Sequence, residues 1–187
     1  GIYKSLNCGM GSNDSKINVI KNLKIVSKKI GTKKKIILLN QLHSSKIFFI
    51  NELPKKKLLG DGLATNKRGM AIGILTADCA PILFFDPKKK IIGCAHSGWK
   101  GALNGIIKNT VKKFNELNSN NEDLIAVVGP CIGQNSYEVK EDLLEKFITK
   151  DKNNENFFKK INKNKYKFDL RGFINTELLN LNIKKVE

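Results

Sequence analysis

Short apolar runs, each ending at a turn residue or a reactive side chain, set the strongest constraint on how this chain can fold. Runs of five to nine residues bounded by Gly, Pro, Asn or Asp are typical of strands buried on at least one face. The pattern predicts a domain built around β-sheet, with strands in KIILLN (35–40), KIFFI (46–50), MAIGILTAD (70–78), PILFFD (81–86), KIIGCAH (90–96) and LIAVVGP (124–130).

Helical spacing follows these runs. Apolar residues recur at helical intervals in 102–117, and we expect further helices over 139–148 and 176–185. The polar, low-complexity segment 149–167 is expected to be a long exposed loop. With strands first and helices after them, the 187 residues predict one α+β domain, an α/β layered sandwich with mixed sheets rather than a strict βαβ repeat.

Charge and hydropathy limit the classes of function. The formal net charge of +17 points to nucleic acid, but only Arg68 and Arg171 among the 34 basic residues are arginine. Arginine is the residue that nucleic-acid readers favour, so we assign the lysine excess to compositional bias and to solvated turns. No apolar run approaches the roughly 20 residues of a membrane span, and no signal-peptide pattern opens the sequence. We therefore expect a soluble, cytoplasmic protein that does not bind membranes.

The four cysteines, Cys8, Cys79, Cys94 and Cys131, form no CxxC motif, which excludes a zinc ribbon and a thioredoxin-type site. In a cytosolic chain of this size disulfides are not expected. Each cysteine is then a small core residue or a reactive group. Cys94 is assigned to the core, and Cys131 either lines a pocket or is structural.

Three side chains stand where an apolar run ends or turns: His43, Cys79 and His96. Two His and one Cys are a known ligand set for catalytic zinc, which keeps a fourth position for water or substrate. Both histidines of the chain fall in this set, and their wide spacing suits ligands from separate strands. Gly98 and Gly101 would allow the backbone to come close around His96.

Each of the three residues also has a structural interpretation when taken singly. His43 in NQLHSS suits a hydrogen-bonded turn, and Cys79 suits a small buried side chain. The alternative chemistry for the same set is a metal-free cysteine hydrolase, with Cys79 as nucleophile, His96 as base and His43 as orienting partner. A basic RNA-binding module is the alternative from another class, and it gives the three residues no reason to coincide.

Five segments resemble, in order, the motifs of the laccase-domain family, which is also called YfiH-like or multicopper polyphenol oxidase. They are NQLHSS, GDGLATN, LTADCAPILFFD, GCAHSGWKGALNGII and VVGPCIGQNSYEV. SLNCGMGSND near the start is similar to the family's N-terminal segment. The whole chain, 1–187, is therefore expected to be a single laccase domain. The family's C-terminal Cys-Thr and Phe-Phe-Ser-Tyr-Arg-Arg block has no counterpart in NIKKVE, the last segment.

The resemblance implies a metal, usually Zn²⁺ with copper as a second option, held by His43, Cys79 and His96. It implies phosphorolysis of a purine nucleoside such as adenosine, inosine or methylthioadenosine, and deamination of adenosine. Some relatives are linked instead to hydrolysis in peptidoglycan precursor editing, and the fold is likened to toxin domains with a Cys–His hydrolase dyad. Polyphenol oxidation would need several copper sites, and two histidines cannot furnish them.

Further residues are assigned roles on this hypothesis. Asp78 would move protons, and Lys100 in GWKG would hold phosphate. Gln41 would bind the base or orient His43, while Asp61 would contact the ribose or hold a turn. The expected partners are a purine nucleoside and phosphate rather than nucleic acid, and the expected assembly is a monomer or homodimer.

Overall fold

The computed structural model describes residues 2–32 and 34–187, which form five α-helices, eleven strands and three 3₁₀ turns. The helices are α1 (Lys16–Lys29), α2 (Trp99–Leu103), α3 (Ile106–Glu116), α4 (Glu141–Lys150) and α5 (Leu170–Asn180). The first strands are β1 (Ile37–Leu38), β2 (Ile47–Phe49), β3 (Gly62–Thr65), β4 (Ile72–Gly73), β5 (Ala80–Asp86) and β6 (Ile91–Ser97). The later ones are β7 (Ile125–Val128), β8 (Glu138–Lys140), β9 (Phe158–Asn162), β10 (Lys165–Phe168) and β11 (Lys185–Val186).

A six-stranded mixed sheet forms the centre of the molecule, in the order β11-β7-β5-β6-β3-β2. Its inner four strands pair antiparallel, whereas the two edge strands, β11 and β2, pair parallel with their neighbours. A short β1-β4 pair and an antiparallel β8-β10-β9 sheet complete the strands. The predicted α+β architecture with mixed sheets is thus confirmed.

Helices α3 and α5 cover one face of the large sheet, where their apolar residues bury against apolar residues of the strands: α3 lies on β2, β3 and β6, and α5 lies on β7 and β11. Phe114 of α3 is fully buried and packs on Phe84 of β5, with ring centroids 6.0 Å apart. Gly93 of β6 lies beneath the same ring, where a Cβ atom would come within 2.7 Å of Phe114. The helix can approach the sheet this closely because residue 93 has no side chain.

Several expectations from sequence are wrong in part. The run 70–78 forms a strand only at Ile72–Gly73. Segment 149–167 contains a 3₁₀ turn (Lys152–Phe157), strand β9 and most of β10, because Phe158 and Phe168 stack at 4.6 Å between ring centroids within an aromatic cluster. The last helix runs over Leu170–Asn180 rather than 176–185, since the Asp169 side chain caps its start by accepting from the Gly172 N–H. Cys94 is 1% exposed, so its assignment to the core is confirmed.

Among the described residues, no helix is long and apolar enough to cross a lipid bilayer.

The contact between Gly93 and Phe114 gives a first prediction. Gly93→Ala should lower the free energy of unfolding by about 1–3 kcal/mol, because the added methyl group overpacks the core against a buried ring. The double variant Gly93→Ala/Phe114→Leu should lose less unfolding free energy than the sum of the two single variants, since the smaller side chain makes room for the methyl group. Urea unfolding of the four proteins measures both effects.

Gly11→Ala is the matched control, because a Cβ there would meet nothing within 4 Å. It should change stability by less than about 0.5 kcal/mol. Additive costs for Gly93→Ala and Phe114→Leu would contradict the packing argument.

Candidate metal centre

His43, Cys79 and His96 converge at one end of the large sheet. Their potential ligand atoms all lie within 4.8 Å of one another. The Cys79 sulfur is 3.7 Å from Nε2 of His43, and the two imidazole rings meet edge to face with centroids 4.8 Å apart. The predicted convergence is confirmed, although the residues come from separate parts of the chain.

Strand pairing explains how Cys79 and His96 meet. In the antiparallel β5-β6 pair, Pro81 lies opposite His96 and Ala80 lies opposite Ser97. The same register places Cys79, just before β5, opposite Gly98, just after β6. A Cβ atom on Gly98 would lie 2.6 Å from the Cys79 sulfur and 3.0 Å from Cδ2 of His43. The expected close backbone approach at Gly98 is thus confirmed, and it leaves the space that the thiol occupies.

His43 reaches the site from a tight turn between β1 and β2. Its φ of +56° lies in the left-handed region, which is uncommon for a residue other than glycine. The turn is held by the carboxylate of Asp61, which accepts hydrogen bonds from the backbone N–H groups of Leu42, His43 and Ser44 at 2.7–3.1 Å. The Ser44 hydroxyl donates a further bond to Asp61 at 2.7 Å.

Asp61 also binds the second histidine. Its Oδ1 lies 2.8 Å from Nδ1 of His96, and both side chains are almost fully buried. Burial alone would raise the pKa of Asp61, but the hydrogen bonds from Ser44, His96 and the backbone outweigh it and hold the pKa below its ordinary value. An ionised carboxylate can only accept, so Nδ1 of His96 carries the proton and its Nε2 keeps a free lone pair.

The protonation of His96 follows from the same surroundings. Burial lowers the pKa of His96, the Asp61 carboxylate opposes this shift, and His43 adds to it. The net direction is downward, so the ring is neutral at neutral pH. A neutral imidazole whose Nδ1–H is held by a carboxylate is the usual arrangement of a metal-ligating histidine.

Cys79 is half-buried, and burial raises the pKa of its thiol. The charges of Asp78, Asp61 and Cys131 raise the pKa of Cys79 further. Without a bound cation the side chain is therefore a protonated thiol at neutral pH. A metal ion would displace that proton, because thiolate is the form that binds metals.

The remaining predicted residues lie in different settings. Asp78 and Lys100 are exposed, and the Lys100 ammonium lies 5.5 Å from the Trp99 ring centroid. Both amide atoms of Gln41 bond to the backbone of Leu75 at 2.7 Å, which fixes this side chain to the protein. Asp61 is fully buried, and both of its carboxylate oxygens accept hydrogen bonds from the turn that carries His43. The substrate-binding roles of these residues stay predictions.

The sequence reasoning did not identify two neighbours of the site. Ser44 binds Asp61 through both its N–H and its hydroxyl, and its place directly after His43 in the HSS motif is the only sequence signal for it. Tyr137 is half-buried near Cys79 and Asp78; burial together with these two groups raises the pKa of Tyr137 to about 12. Its position in SYEV gives no periodic or motif-based hint of that proximity.

Residues 1–187 match the family model described as multi-copper polyphenol oxidoreductase laccase. The chain belongs to this laccase family. The resemblance drawn from the five motifs is therefore confirmed, and a His-Cys-His cluster fits metal binding in a laccase-family domain.

Relatives of this laccase-family chain carry a common name. A Rickettsia conorii protein named purine nucleoside phosphorylase is 40% identical over 153 residues, covering 81% of this chain and 63% of its own length. A Haemophilus influenzae protein of the same name is 32% identical over 188 residues, covering 98% and 75%. The chain thus spans somewhat less than two thirds of the Rickettsia relative.

Solved structures agree with the laccase-family assignment. The crystal structure of a Neisseria meningitidis protein superposes with a TM-score of 0.91 at 28% identity, covering all of this chain and 75% of that one. The YfiH protein of Bacillus licheniformis superposes with a TM-score of 0.90 at 27% identity, covering 97% and 73%. The fold described above is therefore that of the YfiH proteins.

Gly98→Ala should weaken metal binding, because the new methyl group would occupy the space of the Cys79 sulfur. We expect at least about a tenfold loss of Zn²⁺ affinity in a calorimetric titration, the scale seen when the support of a metal ligand is disturbed. Gly133→Ala is the control, since a Cβ there meets nothing within 4 Å. Equal affinities in the two variants would show that Gly98 does not shape the site.

Asp61→Asn should lower the free energy of unfolding at pH 7 by about 2–3 kcal/mol, since hydrogen bonds to a buried charge are lost. The folded pKa of Asp61 is depressed, so its contribution is complete above its ordinary pKa of 3.8 and is lost as pH falls through the lower folded value. The difference in the free energy of unfolding between wild type and Asp61→Asn should therefore become smaller as the pH falls. Denaturant unfolding between pH 7 and pH 3 measures it.

Asp142→Asn serves as the control for this series, because Asp142 makes an exposed helical pair with Lys146. It should change stability by less than about 1 kcal/mol. If the loss of unfolding free energy in Asp61→Asn stayed constant down to pH 3, it would contradict the conclusion that an ionised Asp61 stabilises the fold.

Proposed function

We propose that this chain carries the metal centre of a purine nucleoside phosphorylase, which uses phosphate to cleave the bond between base and ribose. The observation that carries the proposal is the cluster of His43, Cys79 and His96 backed by the buried Asp61. The name shared by the relatives supports the substrate class.

The donor set suits a borderline or soft cation better than Mg²⁺ or Ca²⁺, because it consists of two imidazoles and a thiolate. In a tetrahedral zinc site the sulfur and nitrogen ligands stand about 3.5 Å apart. The observed 3.7 Å between Cys79 and His43 is close to that separation. We propose Zn²⁺ as the resident ion; Cu²⁺ accepts the same donors.

One such cluster occurs in residues 2–32 and 34–187, and it supplies three donors. Multicopper oxidation would require additional histidine-rich sites, so we do not extend the oxidase part of the family description to this chain. When bound, the metal would act as a Lewis acid that stabilises negative charge developing on the substrate.

The chain's own residues carry the remaining parts of the reaction. A phosphate oxygen bonds to C1′ of the ribose while the C1′–N9 bond breaks, and the electron pair leaves with the purine, which takes up a proton. Lys100, an exposed cation next to Trp99, is our candidate for holding the phosphate. Asp78, an exposed carboxylate beside Cys79, is our candidate for moving the proton.

The raised pKa of the Cys79 thiol argues against the metal-free cysteine hydrolase. Nucleophilic cysteines have a lowered pKa, usually from a neighbouring cation or a helix N-terminus. Here burial and the carboxylates of Asp78 and Asp61 act in the opposite direction. Metal coordination of Cys79 removes this conflict, because a dication compensates the charge of the thiolate.

The test is incubation of the zinc-loaded protein with adenosine, with and without phosphate, followed by product analysis. We expect free adenine and ribose 1-phosphate only when phosphate is present, and loss of activity on chelation with recovery on adding Zn²⁺. Cys79→Ala should lower kcat/KM by at least about 100-fold, because it removes one of three metal ligands.

Cys8→Ala is the matched control, since Cys8 lies outside the cluster and, among the residues that the structure describes, its thiol bonds only to the backbone of Leu6. It should retain wild-type activity. Inosine formed without phosphate would identify a deaminase instead, and an acylated Cys79 in chelated protein would identify a cysteine hydrolase. Either result would overturn the proposal.

A further inference from the structure

Cys131 lies directly across from Cys79. Strands β5 and β7 pair antiparallel, with Ile82 opposite Val128. The pairing continues past the end of β7: the Gly129 N–H donates to the Pro81 carbonyl at 2.8 Å, and the Ile132 N–H donates to the Asp78 carbonyl at 2.9 Å. The two bonds continue the residue alignment of β5 and β7 and bracket Cys79 and Cys131, although the ladder is irregular here because they lie three residues apart rather than two.

The two chain segments are held unusually close at this point. A Cβ on Gly129 would lie 2.8 Å from Cγ of Pro81, so only a glycine permits the approach. On the outer side, the Arg171 guanidinium donates to the carbonyls of Val128 and Gly129 at 2.7 and 2.8 Å, which fixes the segment to α5. The segment 128–132, which carries Cys131, is therefore held by hydrogen bonds both to the β5 side and to α5.

This placement meets the backbone requirement of a disulfide. Residues directly opposite each other in an antiparallel pair have Cα atoms about 4.5–5.5 Å apart, within the span of about 4.4–6.8 Å that disulfides bridge. Cys79 and Cys131 are both half-buried, whereas Cys94 is 1% exposed and burial raises its pKa to about 12.

We propose that Cys79 and Cys131 form a reversible oxidation pair, in which a hydroperoxide joins them as a disulfide and so withdraws Cys79 from the metal centre. The Cys131 sulfur first attacks the peroxide oxygen, giving a sulfenic acid and releasing water when the oxidant is hydrogen peroxide. The Cys79 sulfur then attacks the sulfenic sulfur and a second water leaves. In total, two thiols lose two hydrogen atoms and one peroxide is reduced to two waters.

The disulfide itself depends only on the backbone register. Its effect on catalysis rests on the proposed function, because that function assigns Cys79 to the metal centre. A disulfide sulfur cannot serve as a thiolate ligand. Oxidation would therefore release the metal and stop phosphorolysis, and a thiol reductant would restore both.

The sequence allows a direct test, since trypsin separates all four cysteines. Cys79 falls in peptide 69–88, Cys131 in 114–140, Cys94 in 91–100 and Cys8 in 5–16. The full chain, both zinc-loaded and chelated, is treated with hydrogen peroxide, alkylated, digested and analysed by mass spectrometry. We expect a cross-linked 69–88/114–140 pair with a mass loss of about 2 Da, faster in the chelated protein, that disappears on reduction.

Cys131→Ser should abolish the cross-link and leave Cys79 reduced, whereas Cys8→Ser should cross-link as the wild type does. Peroxide should therefore release the metal from the wild type, reversibly on reduction, and leave it bound to Cys131→Ser. The proposal is overturned if wild-type Cys79 ends as sulfinic acid or pairs with Cys8. Because mass and metal content are measured, this result stands whether or not the chain cleaves adenosine.

Discussion

The carboxylate of Asp61 is the interaction on which the site depends. A single buried side chain accepts from three successive backbone N–H groups, one hydroxyl and one imidazole. It thereby fixes the left-handed turn at His43 and the ring orientation of His96 at once. A left-handed residue other than glycine costs about 1–2 kcal/mol, and hydrogen bonds to a charged group of about 1.5–3 kcal/mol each are large enough to offset it.

Cys79 owes its position to a different constraint, the register of the central sheet. It lies just before β5, so its cross-strand neighbours are residue 98 beyond β6 and residue 131 beyond β7. On one side Gly98 leaves room for the sulfur, and on the other side Cys131 brings a second thiol. Both constraints act on His96, because the sheet register places it on β6 and its Nδ1 binds the carboxylate of Asp61.

Much of this could be predicted from the sequence, and the failures have physical causes. Runs that end in His43, Cys79 and His96 predicted both a sheet and a shared site, because strand ends expose side chains while the backbone stays paired. Asp61 was recognised as a turn or ribose residue, but its link to His96 depends on the β3-β6 pairing, which no local pattern encodes. The hairpin of β9 and β10 was missed because lysine and asparagine dominate its sequence. The phenylalanines that stabilise it contact each other only in the folded chain, so no local pattern shows them. Helix α1 was missed because its apolar residues are largely exposed and give weak periodicity.

The charges around Cys79 bear on which ion the site would hold. The ionised, buried Asp61 lies behind the cluster of His43, Cys79 and His96, and its charge opposes the loss of a proton from Cys79. A site with Asp61, a Cys79 thiolate and two neutral histidines carries two negative charges, and charge buried without compensation is strongly unfavourable. A dication balances these charges, whereas a monovalent copper ion leaves one uncompensated. The same argument accounts for the protonated thiol when no ion is bound, and it makes metal binding and proton release from Cys79 a single coupled step.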